Sequence, residues 1–247
     1  MILYIVILKY MVKNLGYISC EFCKIRPDSI FKSLNHKESG NLDLNKKCSI
    51  YNKGQVIFSE GSYPAGLYCI NDGKIKLFKT GTEGKEQIVR LHKSGDILGY
   101  RALISGKSYS TSATTLEDSR ICFIPRDLIF NSIRDNVNFS LSIIKLLTQD
   151  LEEAENRLIN LAQKPVRERL AEAILILKET YGTEKGENSP LNINLSREDL
   201  ANIVGTATET VIRLLSDFKS EKLIATKGRK IEILNYNLLL KTSNIAD

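Results

Sequence analysis

The chain has 247 residues, 43% of them hydrophobic, and a formal charge of +6 from 35 Lys and Arg against 29 Asp and Glu. That length supports a sizeable core in two domains, and no apolar run reaches the roughly 18 to 20 residues of a membrane-spanning helix. The modest basic excess does not by itself point to nucleic acid, and an enzyme is not expected, because no HExxH, P-loop, nucleophile elbow or shared carboxylate pair is present.

The first segment, MILYIVIL, is apolar but lacks the basic n-region and small-residue cleavage site of a signal peptide. Residues 1–19 read as a leader outside the fold, with Met11 an alternative start. The five cysteines are irregularly spaced, which in a chain of this size indicates reduced thiols in the cytoplasm rather than a disulfide framework. Cys20 and Cys23 form a CxxC pair, a weak metal signal alone and equally readable as structural. Cys48 and Cys69 read as small hydrophobes packed elsewhere, and His36 and His92 as isolated surface or loop residues.

Residues 45 to 125 are a series of short β-rich runs, QVIFSEG, GLYCI, GKIKLFK, EQIVRLH and SRICFIP, punctuated by glycines. They predict an antiparallel barrel or jelly roll. A long helical pattern follows, in which Ile144, Leu147, Leu151, Ala154, Leu158 and Leu161 alternate in steps of three and four. Such a seam predicts a parallel dimer interface, the alternative being a helix packed on its own domain. A symmetric dimer would present two copies of any DNA-reading element to successive half-sites.

The stretch LSREDLANIVGTATETVIRLLSDF then reads as two short helices joined at Gly205. Ser196 and Asp199 have the spacing of a capping box, Ala201 permits a close helix crossing, and Val211 and Leu214 face back toward the first helix. LIATKGRKIEIL alternates as a strand, turns at Lys227-Gly228-Arg229 and returns. The result is a winged helix with a locally basic second helix and wing, for which DNA phosphate is the natural partner. Glu209 and Arg213 lie four residues apart on one helical face; they read either as a surface salt bridge or as base-contacting groups. In the second reading Arg213 donates to guanine, Glu209 accepts from cytosine, and Ile212 touches a thymine methyl. Ser196, Arg197, Thr208, Thr210 and Lys227 are then expected on phosphates.

Across nearly its whole length the chain resembles the Crp/Fnr family of bacterial transcription regulators, and most closely its Bacteroidetes branch. The resemblance rests on NKGQVIFSEGSYPAGLYCINDGKIKLFK, GDILGYRALISGKSYSTSATTLEDS and LSREDLANIVGTATETVIRLLSDFKSEKLI. It implies an α+β architecture: a cyclic-nucleotide-binding-like β-roll sensor at 20–135, a dimerisation helix at 136–163, a winged helix-turn-helix at 164–238 and a tail at 239–247. It also implies a cytoplasmic homodimer that binds inverted-repeat DNA, works with RNA polymerase and responds to a small molecule, redox state or oxygen. A sensor acting through protein partners without DNA is the competing possibility. The effector pocket is expected around Gly99, Tyr100, Arg101, Thr111 and Ser112. Cyclic AMP is not expected there, because Tyr100, Thr111 and Ser112 stand where cyclic-AMP-binding members carry a ribose-binding Glu and an Arg-Ser pair for the phosphate. Cys20, Cys23 and Cys122 fall where oxygen-sensing members place three of the four thiolates of an iron–sulfur cluster. Ser29 stands at the fourth position, leaving Asp28 or Ser29 as the candidate to complete the set.

Overall fold

The protein is described from a computed structural model, covering residues 19–184 and 189–245 with residue 21 excepted. The chain divides into two compact units, Met1–Leu77 with Leu91–Asp150 and Phe78–Arg90 with Leu151–Asp247.

In the first unit two 3₁₀ turns, Arg26–Asp28 and Ile30–Ser33, lead into helix α1, His36–Asn45, whose start is fixed by a reciprocal capping box between Asn35 and Glu38. Eight strands follow: β1 Lys47–Tyr51, β2 Val56–Phe58, β3 Gly66–Asp72, β4 Ile75–Thr80, β5 Glu86–His92, β6 Ile97–Leu98, β7 Ser112–Thr115 and β8 Ser119–Pro125. Helix α2, Tyr100–Ser105, interrupts them, and helices α3, Arg126–Asp135, and α4, Val137–Gln163, close the series, although the end of β4, most of β5 and α4 from Leu151 onward belong to the second unit. The strands form two sheets, ordered β1-β8-β3-β6 and β2-β7-β4-β5, as the glycine-punctuated pattern predicts.

The inner strands β3 and β8 of the first sheet are buried on both faces, which is why their side chains alternate between two cores. Ile70, Leu98 and Ile121 face the roll interior with Phe58, Ile75 and Tyr109. Leu67, Cys69, Ile97, Cys122 and Ile124 face the other way, under Phe31, Leu34, Leu42, Ile129, Phe139 and Ile143. Strands β3 and β8 approach closely at Gly66, where a Cβ would stand 2.1 Å from the Ile124 carbonyl oxygen.

The register corrects the cysteine reading. Cys48 pairs directly with Cys122, and Cys122 directly with Cys69. Directly opposed residues of antiparallel strands share a face, so the three sulfurs form one row across β1, β8 and β3. Cys69 therefore does not lie away from Cys122. Nor are all five cysteines thiols: Cys48 and Cys122, with Cα atoms 3.9 Å apart, are joined by a disulfide, leaving Cys20, Cys23 and Cys69 free.

The second unit contains helices α5, Val166–Tyr181, α6, Arg197–Val204, and α7, Thr208–Ser220, then the hairpin β9, Ile224–Lys227, and β10, Lys230–Ile233. Helix α8, Tyr236–Ser243, follows, with Leu239 fully buried. The folded region thus continues past residue 238 into the segment read as a tail. The Arg169 guanidinium joins two helix C-termini, donating to the carbonyls of Val204 at 3.1 Å, at the end of α6, and of Lys164 at 2.9 Å and Leu161 at 3.2 Å, at the end of α4, a favourable use of a cation at helix C-termini. Arg157 donates to the Ile203 carbonyl at 3.1 Å and also to that of Val89.

Candidate nucleic-acid interface and cysteine cavity

Helix α6 begins where the sequence places it. Ser196 Oγ accepts from the Asp199 amide at 2.9 Å while the Asp199 carboxylate accepts from the Ser196 amide at 3.1 Å. It ends at Gly205, whose φ of +73° and ψ of 52° belong to the left-handed region that glycine enters without strain. Ala201, Val204, Val211, Leu214, Leu215 and Phe218 are buried, so α6 and α7 pack through the predicted stripe. Helix α7 then exposes Glu209, Ile212 and Arg213 on its outer side, with Thr208 and Thr210 half-buried at its start. Among the described residues, no ion pair joins Glu209 to Arg213.

The wing turns at Gly228 and Arg229, with Lys227 opposite Lys230. Lys227 and Arg229 are exposed, whereas Lys230 is paired with Glu184 at 2.7 Å. Arg197 is only partly available to a phosphate: its guanidinium donates to the Gly228 carbonyl at 2.8 Å, fastening the wing to the start of α6. Burial draws its pKa downward. The Ser196 hydroxyl is likewise engaged in its cap, donating to Asp199 at 2.7 Å.

The predicted effector residues are spread over different environments. Gly99 initiates α2 with a φ of +81°, Tyr100 is buried with its hydroxyl on the Asp150 carboxylate, and Arg101 is exposed. Thr111 is half-buried, and Ser112 Oγ accepts from the Glu60 amide at 3.0 Å. The Tyr109 ring stacks on Phe58 with centroids 3.9 Å apart and lies against Gly99.

A second feature lies in the first unit, on the outer face of the β1-β8-β3-β6 sheet. A small cavity of about 40 Å³ is lined by Cys20, Cys23, Cys69 and Cys122 together with Ser29 and Lys46. The 3₁₀ turns and α1 bring Cys20 and Cys23 over the sheet. The Cys20 amide donates to Asp43 at 2.8 Å, Lys46 Nζ donates to Cys20 Sγ at 2.9 Å, and Asn71 Nδ2 to Cys23 Sγ at 3.4 Å. Burial pushes the Cys20 thiol up, with Lys46 opposing. Burial pushes the Cys69 thiol up to about 12, the nearby Cys23 and Cys20 adding to it. Ser29 also lines the cavity, but its hydroxyl caps the second 3₁₀ turn, donating to the Arg26 carbonyl at 2.9 Å and accepting from the Phe31 amide at 3.3 Å. Asp28 is exposed and does not line the cavity. Among the described residues no three His, Cys, Asp or Glu side chains converge closely enough to hold one metal ion.

Comparison with known proteins decides the family. Residues 49–136 match the cyclic nucleotide-binding domain and residues 168–242 the Crp-like helix-turn-helix domain. The chain is 32% identical over 227 residues to the fumarate and nitrate reduction regulatory protein of Yersinia pestis, covering 91% of this chain and 90% of the relative. It is 30% identical over 235 residues to that of Escherichia coli K12, with 93% of each covered. The chain belongs to the Crp/Fnr family. It is a DNA-binding transcription regulator and not an enzyme. The fold agrees with FixK2 from Bradyrhizobium japonicum at a TM-score of 0.72 and 24% identity, covering 82% of this chain and 99% of that structure.

In this Crp/Fnr protein the stripe that the sequence suggests as a dimer seam is largely surface. Ile144, Leu151 and Leu158 of α4 are 56%, 60% and 69% exposed in the single chain, whereas Leu147 packs partly against the outer core of the first unit. Ala154 is exposed, and Leu161 leans over the α6–α7 turn, its Cδ2 within 3.0 Å of where a Cβ on Gly205 would stand. Sequence reasoning missed Cys69, Asp150 and Arg169. The signal for Cys69 was its strand pairing, which no local motif reveals; Asp150 showed only as an acidic residue one position before Leu151.

Proposed function

We propose that this Crp/Fnr regulator acts in the cytoplasm as a homodimer joined along α4, reads an inverted-repeat DNA site with α7, and adjusts its output at RNA polymerase in response to oxygen or redox state. Glu209, Ile212 and Arg213 are the base-contacting residues, and Thr208, Thr210, Lys227, Ser196 and Arg197 contact phosphates, the last two through whatever capacity their caps leave. The observation that carries the signal is the cysteine cavity. Thiolates are the ligands that iron–sulfur clusters take, and the three free cysteines, Cys20, Cys23 and Cys69, line one cavity together with Cys122 of the disulfide. Such a group, when bound, supplies a centre whose integrity depends on oxidants. The chain's own residues orient the sulfurs: Lys46 and Asn71 donate to Cys20 and Cys23.

Cyclic AMP is a poorer reading of the sensor, since the Tyr100 hydroxyl is committed to Asp150 and the Tyr109 ring packs on Gly99. The test is selection of DNA from a random pool, followed by binding to the enriched site with protein prepared with and without oxygen. An inverted repeat bound at least about tenfold more tightly in one of the two states, roughly 1.4 kcal/mol, supports the reading. Equal affinity in both states removes the redox signal.

A further inference from the structure

We infer that Lys85 and Gln87 of the β4–β5 hairpin and Arg157 of α4 are positioning residues for DNA binding, holding the end of α6 and with it the entry angle of α7. The inference goes beyond the signal proposed above and rests on α7 being the helix that reads DNA. Its basis is a run of consecutive backbone carbonyls at the α6–α7 turn. The Asn202 carbonyl accepts from Gln87 Nε2 and the Ile203 carbonyl from Arg157 Nη2 at 3.1 Å. Those of Val204 and Gly205 accept from Arg169 at 3.1 and 3.4 Å, and that of Thr206 accepts from Lys85 Nζ at 3.4 Å.

The last carbonyls of a helix lack intrahelical partners and carry the negative end of its dipole, so cations and N–H donors are favoured there. The chain makes the turn locally, the Gly205 and Thr206 amides both donating to the Ala201 carbonyl, but the carbonyls that follow are met by side chains of the hairpin, α4 and α5. Arg157 also donates to the Val89 carbonyl on β5, and Arg90 pairs with Glu153, one turn earlier on α4, at 2.9 Å. One guanidinium thus ties β5, α4 and the end of α6 together. Asn202 is buried, so removing the Gln87 donor leaves its carbonyl short of a partner.

The clasp holds α7 without covering it. The clasped atoms lie at 202–206, before α7 begins at Thr208, while Glu209, Ile212 and Arg213 are exposed. It therefore favours the DNA-competent orientation rather than blocking it. Without the clasp α7 spends part of its time in other orientations, and apparent affinity falls in proportion to the competent fraction. Sequence preference is unaffected, because the exposed side chains of α7 are unchanged. Arg157 directly precedes Leu158 of the exposed stripe on α4, so the helix expected to join two copies also sets the reading helix.

The experiment uses the full chain. DNA is selected from a random pool with wild type and each variant, and the site that wild type enriches is titrated at several salt concentrations with wild type, Gln87→Met, Arg157→Met and Arg157→Lys. Methionine matches the reach of Gln87 and removes its donors without changing charge. Gln87→Met should bind about tenfold more weakly, enrich the same motif and keep the wild-type slope of log affinity against log salt, since no phosphate contact is lost. Arg157→Met should lose at least as much. Arg157→Lys keeps a cation that can meet a carbonyl and should recover most of the loss, a rescue that lost packing alone does not give. Circular dichroism and the urea midpoint confirm that the variants are folded. Folded Gln87→Met and Arg157→Met that bind as wild type does overturn the inference and leave α7 as the reading helix. Variants that bind more tightly also overturn it, because the clasp then restrains DNA binding. Arg157→Lys as weak as Arg157→Met overturns the donor role of Arg157. Wild type that enriches no motif overturns the reading of α7 as well.

Discussion

The Tyr100 hydroxyl donates a hydrogen bond to the Asp150 carboxylate, 50 residues further along the chain. It fastens the start of α2, in the segment expected to sense effector, to α4 one residue before Leu151. Both groups are buried, Asp150 at 7% exposure, so removing the donor deprives a desolvated carboxylate of a partner. Tyr100→Phe keeps the ring and should cost about 1–3 kcal/mol. A lower urea midpoint with an unchanged m-value is the expected signature; an unchanged midpoint would mean that the bond adds nothing to stability.

The exposed stripe on α4 should be the dimer contact. Ile144, Leu151 and Leu158 recur every seven residues, and each is more than half exposed on the single chain. Leu151→Glu places two carboxylates across a symmetric interface, where they lose both burial and neutrality. The variant should sediment as a monomer with helical content intact and bind an inverted repeat at least about tenfold more weakly, because one recognition helix then acts without its partner. A variant that stays dimeric would move the interface elsewhere.

Tyrosines inside the roll should titrate late. Phe58 stacks against both Tyr68 and Tyr109, and burial pushes the phenols of Tyr51, Tyr68 and Tyr109 above their ordinary value of 10.0. In the unfolded chain these groups lose their protons near pH 10, so above that pH the unfolded state binds fewer protons than the native state. Stability contributed by keeping them neutral is therefore complete below pH 10 and lost as pH rises further. An ultraviolet titration should show one set of phenols ionising near pH 10 and another only together with loss of native circular dichroism. A single transition near pH 10 with the fold retained would contradict the buried stack.

Much of this was readable locally. Ser196, Asp199 and Gly205 fix the ends of α6 through hydrogen bonds that span three residues or through a single backbone angle, and both appear where the sequence places them. The wing follows from alternation and one glycine in the same way. What escaped depends on pairing between distant segments. Cys48, Cys69 and Cys122 look unrelated along the chain because their association is created by the order β1-β8-β3, a property of topology rather than of any window of residues. Arg197 shows a subtler limit: its charge suggests a phosphate contact, but the wing carbonyl of Gly228 takes up part of its donor capacity. Residues 1–18 of the expected leader lie outside the described residues.

Gly205 should be intolerant of substitution for two independent reasons. Its φ of +73° strains any residue with a Cβ, and that Cβ would stand 3.0 Å from Leu161 Cδ2. Gly205→Val should cost more than the roughly 1 kcal/mol typical of a left-handed β-carbon, since branching restricts both backbone and neighbour. Thermal unfolding checks it; a melting temperature within error of wild type would show that the turn relaxes freely.

Glu209 and Arg213 are the pair proposed to read DNA bases. They sit on the exposed side of α7 with no ion pair between them, so neither is held back by the other before DNA arrives. The planar guanidinium can donate twice to guanine O6 and N7, while the carboxylate can accept from a cytosine amino group. Arg213→Ala should therefore cost about 1–3 kcal/mol on the selected site and relax preference at one base pair in each half-site. Lys227, exposed on the wing, should behave differently. Its charge neutralises backbone phosphate regardless of sequence, so Lys227→Ala should weaken every site about equally and reduce the slope of log affinity against log salt by about one per subunit. Selection from a random DNA pool with wild type and both variants separates the two roles. If Arg213→Ala enriches the same motif as wild type, the pair is ordinary surface charge and the base contacts must come from other residues of α7.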